Sequence, residues 1–223
     1  MLFAKVLINH QTQIKLFYIC NLCNTNNMNS ICVFCGSSPG KDKSYSIKVE
    51  SFGKLLAEQN ITLVYGGSNI GLMRVLANSV LSSGGKVIGI MPHNLFDMGI
   101  SHPSLTKIHI VNSMAERKEQ MIKLSDAFVA LPGGLGTFDE LFEILSNNQL
   151  ELINKPCGIL NINAYYDHLL KFLDKSVEEG FVRTEHRRNL IVEDDETELL
   201  QKLKSFKPIH AHKWVDKLKE ISD

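Results

Sequence analysis

The stretch Ala127-Phe-Val-Ala-Leu131-Pro-Gly-Gly-Leu-Gly-Thr137-Phe-Asp-Glu140 decides the fold. Its first five residues form a continuous apolar run, as expected of a strand buried on both faces of a parallel sheet. A glycine-rich turn follows, and Thr137 then opens an amphipathic segment of helix length. Strand, tight turn and helix in that order make half of a parallel α/β unit. The same alternation extends in both directions. Strands are expected at 31–35, 61–65, 86–91, 107–111, 127–131 and 156–160, with helices near 44–60, 70–83, 113–125, 137–151 and 163–179. The fold class is therefore α/β, a doubly wound parallel sheet with helices on both faces. Residues 1–28 read as a poorly ordered N-terminal extension, 29–205 as the α/β domain, and 206–223 as a C-terminal helical tail. The whole tail after Arg183 is expected to be terminal helices packed on the core.

Composition narrows the function classes. The chain has 223 residues, 44% hydrophobic and 22% charged, an ordinary globular balance. Lys+Arg and Asp+Glu each number 24, so there is no cationic surplus for neutralising a nucleic-acid backbone. No apolar stretch reaches membrane-spanning length, and the apolar start of the chain is interrupted by Asn9-His-Gln-Thr-Gln13, which argues against a signal peptide. A cytoplasmic protein with neither nucleic-acid nor membrane partners is expected. Cys20-x-x-Cys23 and Cys32-x-x-Cys35 have zinc-like spacing. The second pair lies in a strand, where residues i and i+3 point to opposite faces, so no metal is expected. His93, His102 and His109 lie on separate elements without ligand spacing. Ser37 and Ser38 lack the elbow of a hydrolase nucleophile and suit loop or phosphate-donor roles.

The unusual residues cluster where ligands bind in open α/β sheets, beyond the carboxyl ends of the strands. Gly36-Ser-Ser-Pro-Gly40, Gly66-Gly-Ser-Asn-Ile-Gly71, Ser113-Met-Ala-Glu-Arg-Lys118 and Pro132-Gly-Gly-Leu-Gly-Thr137 all fall there. In the last, Gly133, Gly134 and Gly136 leave backbone N–H groups approachable, and a helix start favours an anion such as phosphate. Thr137-x-x-Glu140 also fits a capping box, which would fold Glu140 back onto the helix start. The glycine count favours the anion site. On the preceding helix, Met114, Met121, Ile122 and Leu124 share one face with Arg117 and Lys118 among them. Two cations on an apolar face need anionic partners or a polar pocket, unless their stems merely snorkel. Ser113-x-x-Glu116 is a second capping box and gives Glu116 a structural role.

Met114-Ala-Glu-Arg-Lys118 followed by Pro132-Gly-Gly-Leu-Gly-Thr-Phe-Asp-Glu140 resembles the LOG family, the cytokinin riboside 5′-monophosphate phosphoribohydrolases, whose older members were labelled lysine decarboxylase-like. The similarity spans about residues 30–192 and includes Cys35-Gly-Ser-Ser38, Val64-Tyr-Gly-Gly67 and Gly71-Leu-Met73. It implies a Rossmann-like homodimer that splits the N-glycosidic bond of an adenosine-type nucleoside 5′-monophosphate, N6-substituted AMP or AMP itself, into free base and ribose 5-phosphate. It also implies Arg117 and Glu140 as the catalytic pair. Arg117, Lys118, Gly133, Gly134, Leu135, Gly136 and Thr137 would then hold the substrate, with no metal and no cofactor. Arg117 could grip phosphate or keep Glu140 ionised. Nothing marks the pyridoxal phosphate lysine that a decarboxylase would need. The chain departs from the family pattern at Ser68, Arg74, Gly99, Ala115 and Asn147. A non-catalytic nucleotide carrier or sensor on the same fold is the alternative.

Overall fold

The computed structural model describes residues 28–210. Seven strands, β1 (Ser30–Phe34), β2 (Thr62–Tyr65), β3 (Val87–Pro92), β4 (Lys107–Val111), β5 (Ala127–Ala130), β6 (Cys157–Leu160) and β7 (Leu190–Glu193), form one sheet. Every pairing is parallel and the spatial order is β4-β3-β2-β1-β5-β6-β7. The helices are α1 (Lys43–Glu58), α2 (Gly71–Ser82), α3 (His93–Phe96), α4 (Met114–Lys123), α5 (Leu135–Gln149), α6 (Asp167–Glu178), α7 (Thr184–Arg188) and α8 (Glu196–Lys204). A 3-10 turn, Ile162–Ala164, precedes α6. Among the described residues, no helix is long and apolar enough to cross a membrane.

Strand alternation divides the core. Ile31 and Val33 of β1, with Ala127 and Val129 of β5, face α1, α2 and α8 through Phe52, Leu76 and Leu199. Cys32, Phe34, Phe128 and Ala130 face the other side, toward Met121 of α4, and Leu141 and Ile144 of α5. Both faces of the central strands are thus covered, which explains their unbroken apolar sequence. Cys32 and Cys35 fall in opposite core layers, so this pair cannot grip a common ion. The Cys20–Cys23 pair and the N-terminal extension through residue 27 lie outside the described residues.

Strand order reverses direction at β1. The chain builds β1 through β4 on one side, then returns to lay β5 against the other edge of β1, with Ile31 opposite Ala127 and Phe34 opposite Ala130. Helix α1 leaves toward one face and α5 toward the other, opening a crevice beyond the ends of β1 and β5.

Four local expectations change. The segment after Arg183 holds β7 as well as helices, because Leu190-Ile-Val-Glu193 continues the sheet alongside β6. Residues 206–210 carry no regular structure, and 211–223 lie outside the described residues. Helix α5 begins at Leu135 rather than Thr137, with Gly134 at its N-cap and no side-chain cap. Helix α6 begins at Asp167, because Asn163 and Ala164 take left-handed conformations (φ 54° and 57°) that no α-helix continues.

Candidate active site

Arg117 sits one turn into α4, and its helix start is secured locally. Ser113 Oγ accepts from the Glu116 amide at 3.1 Å, while Glu116 Oε2 accepts from the Asn112 amide at 2.8 Å. This is the structural role expected of Glu116, reaching one residue further back than a strict capping box. Met114, placed by the helical wheel with the buried residues, is half exposed. Helical side chains lean toward the N-terminus, so that of the first helical residue points off the end.

The Arg117 side chain crosses the ends of three elements. Its Nε donates to the Ile90 carbonyl of β3 at 3.2 Å, and its Nη1 donates to Glu140 Oε1 of α5 at 2.8 Å. Nη2 fills the space beside Gly66, where an added Cβ would come within 2.2 Å of it. Only 11% of the Arg117 side chain and 10% of the Glu140 side chain remain exposed. Glu140 is therefore not turned back onto its helix start. Burial outweighs the attraction of Arg117 and holds the Glu140 carboxyl above the ordinary glutamate range, a direction that low-dielectric surroundings impose on any carboxylate.

Arg117 and Glu140 line a cleft of about 200 Å³ at the reversal point of the sheet. Gly36 and Ser37 from the turn after β1 also line it, as do Gly66, Met73 of α2 and residues 134–137. The first bond of the α5 ladder runs from the Phe138 amide to the Gly134 carbonyl at 3.0 Å. The amides of 135–137 precede that ladder, the condition that makes a helix start attract anions. An added Cβ at Gly134 or Gly136 would meet nothing within 4 Å, so the turn is open on the cleft side.

The structure thus brings Arg117, Gly134, Leu135, Gly136, Thr137 and Glu140 to one cleft, and leaves Gly133 and Lys118 off its wall. Gly133 lies behind, with no room for a side chain because Thr137 Oγ1 would stand 2.1 Å from its Cβ. Lys118 pairs with Asp139 at 3.0 Å and Glu143 at 2.7 Å, both on α5. Its anionic partners are internal, so its place on the apolar face is explained without a ligand. Sequence reading gave no site role to Met73 or the Ile90 carbonyl, and it placed Gly66 in a ligand-edge turn without its contact to Arg117. Each becomes legible only once β2, β3 and α4 are seen to converge. Cys35, also on the wall, has its thiol pushed far up by burial and by the Glu140 charge, which suppresses thiolate chemistry. His102 is used structurally, its Nε2 against Asn78 Oδ1 at 2.9 Å. Among the described residues, no group of three or more His, Cys, Asp or Glu is placed to hold a metal.

A family model described as possible lysine decarboxylase matches residues 73–203. A probable cytokinin riboside 5′-monophosphate phosphoribohydrolase of Oryza sativa subsp. japonica is 44% identical over 178 residues, 80% of this chain and 72% of that protein. A cytokinin riboside 5′-monophosphate phosphoribohydrolase of Arabidopsis thaliana is 44% identical over 180 residues, 81% of this chain and 84% of that protein. The chain belongs to the LOG family. Its fold also matches solved structures of more distant sequence. A molybdenum cofactor binding protein of Rippkaea orientalis gives a TM-score of 0.62 at 20% identity, over 80% of this chain and 96% of that one. The molybdenum cofactor carrier protein of Chlamydomonas reinhardtii gives 0.60 at 19%, over 80% and 97%. None of the positions read in the sequence as departures from the family pattern lines the cleft. Ser68 is buried with its hydroxyl donating to Ile100 O at 3.4 Å, Arg74 is exposed on α2, and Gly99 sits in open space.

Proposed function

We propose that this chain hydrolyses the N-glycosidic bond of an adenosine-type nucleoside 5′-monophosphate, N6-substituted AMP or AMP, to free base and ribose 5-phosphate. The observation that carries the proposal is the Glu140 carboxylate, buried against Arg117 in the cleft whose other wall is the open glycine turn. The phosphate docks on the amides of 134–137, and the sugar then spans the short distance to Glu140. A cleft of about 200 Å³ is below the ~300–1,000 Å³ usual for sites that bury most of a drug-sized ligand. It suits the phosphate and sugar, leaving the base toward the open side.

Cleavage builds positive charge on the sugar ring as the C1′–N bond lengthens. Glu140 faces that charge and stabilises it, and takes a proton from the water whose oxygen bonds to C1′. The departing base nitrogen takes up a proton from solvent and Glu140 returns its own to solvent, so that the two halves of water end on C1′ and on the base. Arg117 already donates to Ile90 O and Glu140, so its role is to hold and orient the carboxylate rather than to grip phosphate. Substrate affinity comes from the remote phosphate, which places C1′ for reaction.

The same reading includes a cytosolic homodimer. Cys32, Cys35 and Cys157 are free and buried, as suits a reducing compartment. Leu135, 85% exposed, and Phe142 two turns along α5 form an apolar margin that a second copy would cover.

The test is to incubate the purified protein with a panel of nucleoside 5′-monophosphates and assay free base, alongside Glu140→Gln. Base release by the native protein, reduced by about 10²–10⁴ in the variant with nucleotide binding kept, is the expected result. Tight binding with no release from any nucleotide would make the chain a carrier, and unimpaired turnover in Glu140→Gln would remove that residue from the chemistry.

A further inference from the structure

Three consecutive carbonyls at the end of β5 are each tied from outside the turn. Leu131 O accepts from the Tyr166 hydroxyl at 2.7 Å, Pro132 O from the Gly36 amide at 3.0 Å, and Gly133 O from the Tyr165 hydroxyl. In a trans peptide the carbonyl and the following N–H point to opposite sides. Holding a carbonyl therefore also aims the next amide. After Leu131 comes Pro132, which has no N–H, so the Tyr166 bond aims nothing. After Gly133 comes Gly134, and there the bond has a consequence. Tyr165 and Gly133 lie off the cleft wall whereas Gly134 lies on it, so fixing the carbonyl on the tyrosine side turns the Gly134 N–H the other way.

The Gly133–Gly134 peptide is a plane between two residues without Cβ, and rotation about the bonds flanking it meets little steric resistance. A flip would exchange the N–H for a carbonyl oxygen at the anion site and convert attraction into repulsion. We propose that Tyr165 is a positioning residue that latches the Gly133–Gly134 peptide with its N–H toward the bound phosphate. This deepens the phosphoribohydrolase reading and rests on its phosphate subsite.

The latch is itself firmly mounted. The Tyr165 ring meets Tyr45 of α1 edge-on, with centroids 6.0 Å apart, and Tyr166 at 4.9 Å. The backbone reaches it through Asn163 and Ala164, both left-handed, and alanine, unlike asparagine, keeps that conformation only where surroundings enforce it. Asn163 Nδ2 donates to Ser44 Oγ at 2.6 Å, fastening this turn to the start of α1. Nothing in the catalytic scheme above uses either tyrosine.

The test is binding of ribose 5-phosphate by titration calorimetry, with thermal unfolding and nucleotide kinetics, on the native protein, Tyr165→Phe and Tyr166→Phe. Tyr165→Phe should weaken binding about three- to tenfold, the scale of one hydrogen bond, and raise KM more than it lowers kcat. Its Tm should barely move, because the lost hydroxyl belongs to a side chain open to solvent. Tyr166→Phe should show the reverse, a lower Tm from the stranded Leu131 carbonyl with ribose 5-phosphate affinity kept. Equal affinity in Tyr165→Phe and the native protein overturns the latch, as does equal loss in both variants or no binding by the native protein. Binding of ribose 5-phosphate without base release from any nucleotide sinks the hydrolase reading alone and leaves the latch to be judged by the two variants.

Discussion

Two glycine-rich turns in this molecule join a strand end to a helix start, and they use glycine for opposite purposes. In the turn after β2, the space a side chain would take is already filled by protein. Arg117 Nη2 stands where the Cβ of Gly66 would be, and the Ser37 backbone stands 2.2 Å from that of Gly71, which is left-handed as well (φ 55°). In the turn after β5, the space beside Gly134 and Gly136 is empty. The first turn makes room for the scaffold; in the second, Gly133 does the same against Thr137, while Gly134 and Gly136 leave room for a guest. Glycine content alone therefore does not locate a ligand; what decides is whether a neighbour occupies the vacated volume.

Substitutions that add one methyl group to each turn give the sharpest way to break this contrast. Gly66→Ala pushes the Arg117 guanidinium off its seat and away from Glu140. Turnover should fall by about 10²–10³, the scale for losing one electrostatic element of an active site, with ~1–3 kcal/mol of stability lost to overpacking in urea unfolding. Normal turnover in that variant would mean that the pair does not depend on its seat. A pH series tests the same seat from the other side. Glu140 must be ionised to act and its burial raises its pKa, so kcat/KM should fall about tenfold per pH unit below a limb lying above the ordinary glutamate value of about 4.3. A limb at or below that value would contradict the burial described. Gly136→Ala has the smaller and opposite signature. The residue lies in the first turn of α5 with nothing within 4 Å, so alanine should stabilise the fold by ~0.4–1 kcal/mol while raising KM for the nucleotide. A lowered Tm there would show that the turn is packed rather than open. The smallest effect is expected at Lys118, whose partners are Asp139 and Glu143. Lys118→Gln should leave KM within about threefold and cost no more than ~1 kcal/mol, as partly exposed ion pairs do.

Much of this was readable along the chain because the governing signals are local. The central strands announce themselves as apolar runs, since a strand buried on both faces has no polar side to interrupt it, whereas the edge strand Lys107-Ile-His-Ile-Val111 alternates polar and apolar residues. The glycine turn and the Arg117–Lys118 pair stood out because each breaks the pattern around it. What was not legible depends on contacts between distant segments. Leu190-Ile-Val-Glu193 is as short as β2, β5 and β6 but lies at the sheet edge, only partly buried and flanked by charged residues, so it is recognisable as a strand only by its pairing with β6. Helix α5 starts two residues before the threonine that looks like its cap, because Gly134 serves at that position through its backbone alone. Arg117 and Lys118 are neighbours with similar chemistry in sequence. Only the placement of α5 sends one to Glu140 in the cleft and the other to Asp139 and Glu143 outside it.

The seating of Arg117 against Ile90, Gly66 and Glu140 has one further consequence. A guanidinium anchored by three separate elements has given up its rotational freedom during folding, before any nucleotide arrives. The pair is preorganised, so the reacting groups need no rearrangement as charge develops on the sugar, and the entropy lost at each turnover falls on the incoming molecule alone.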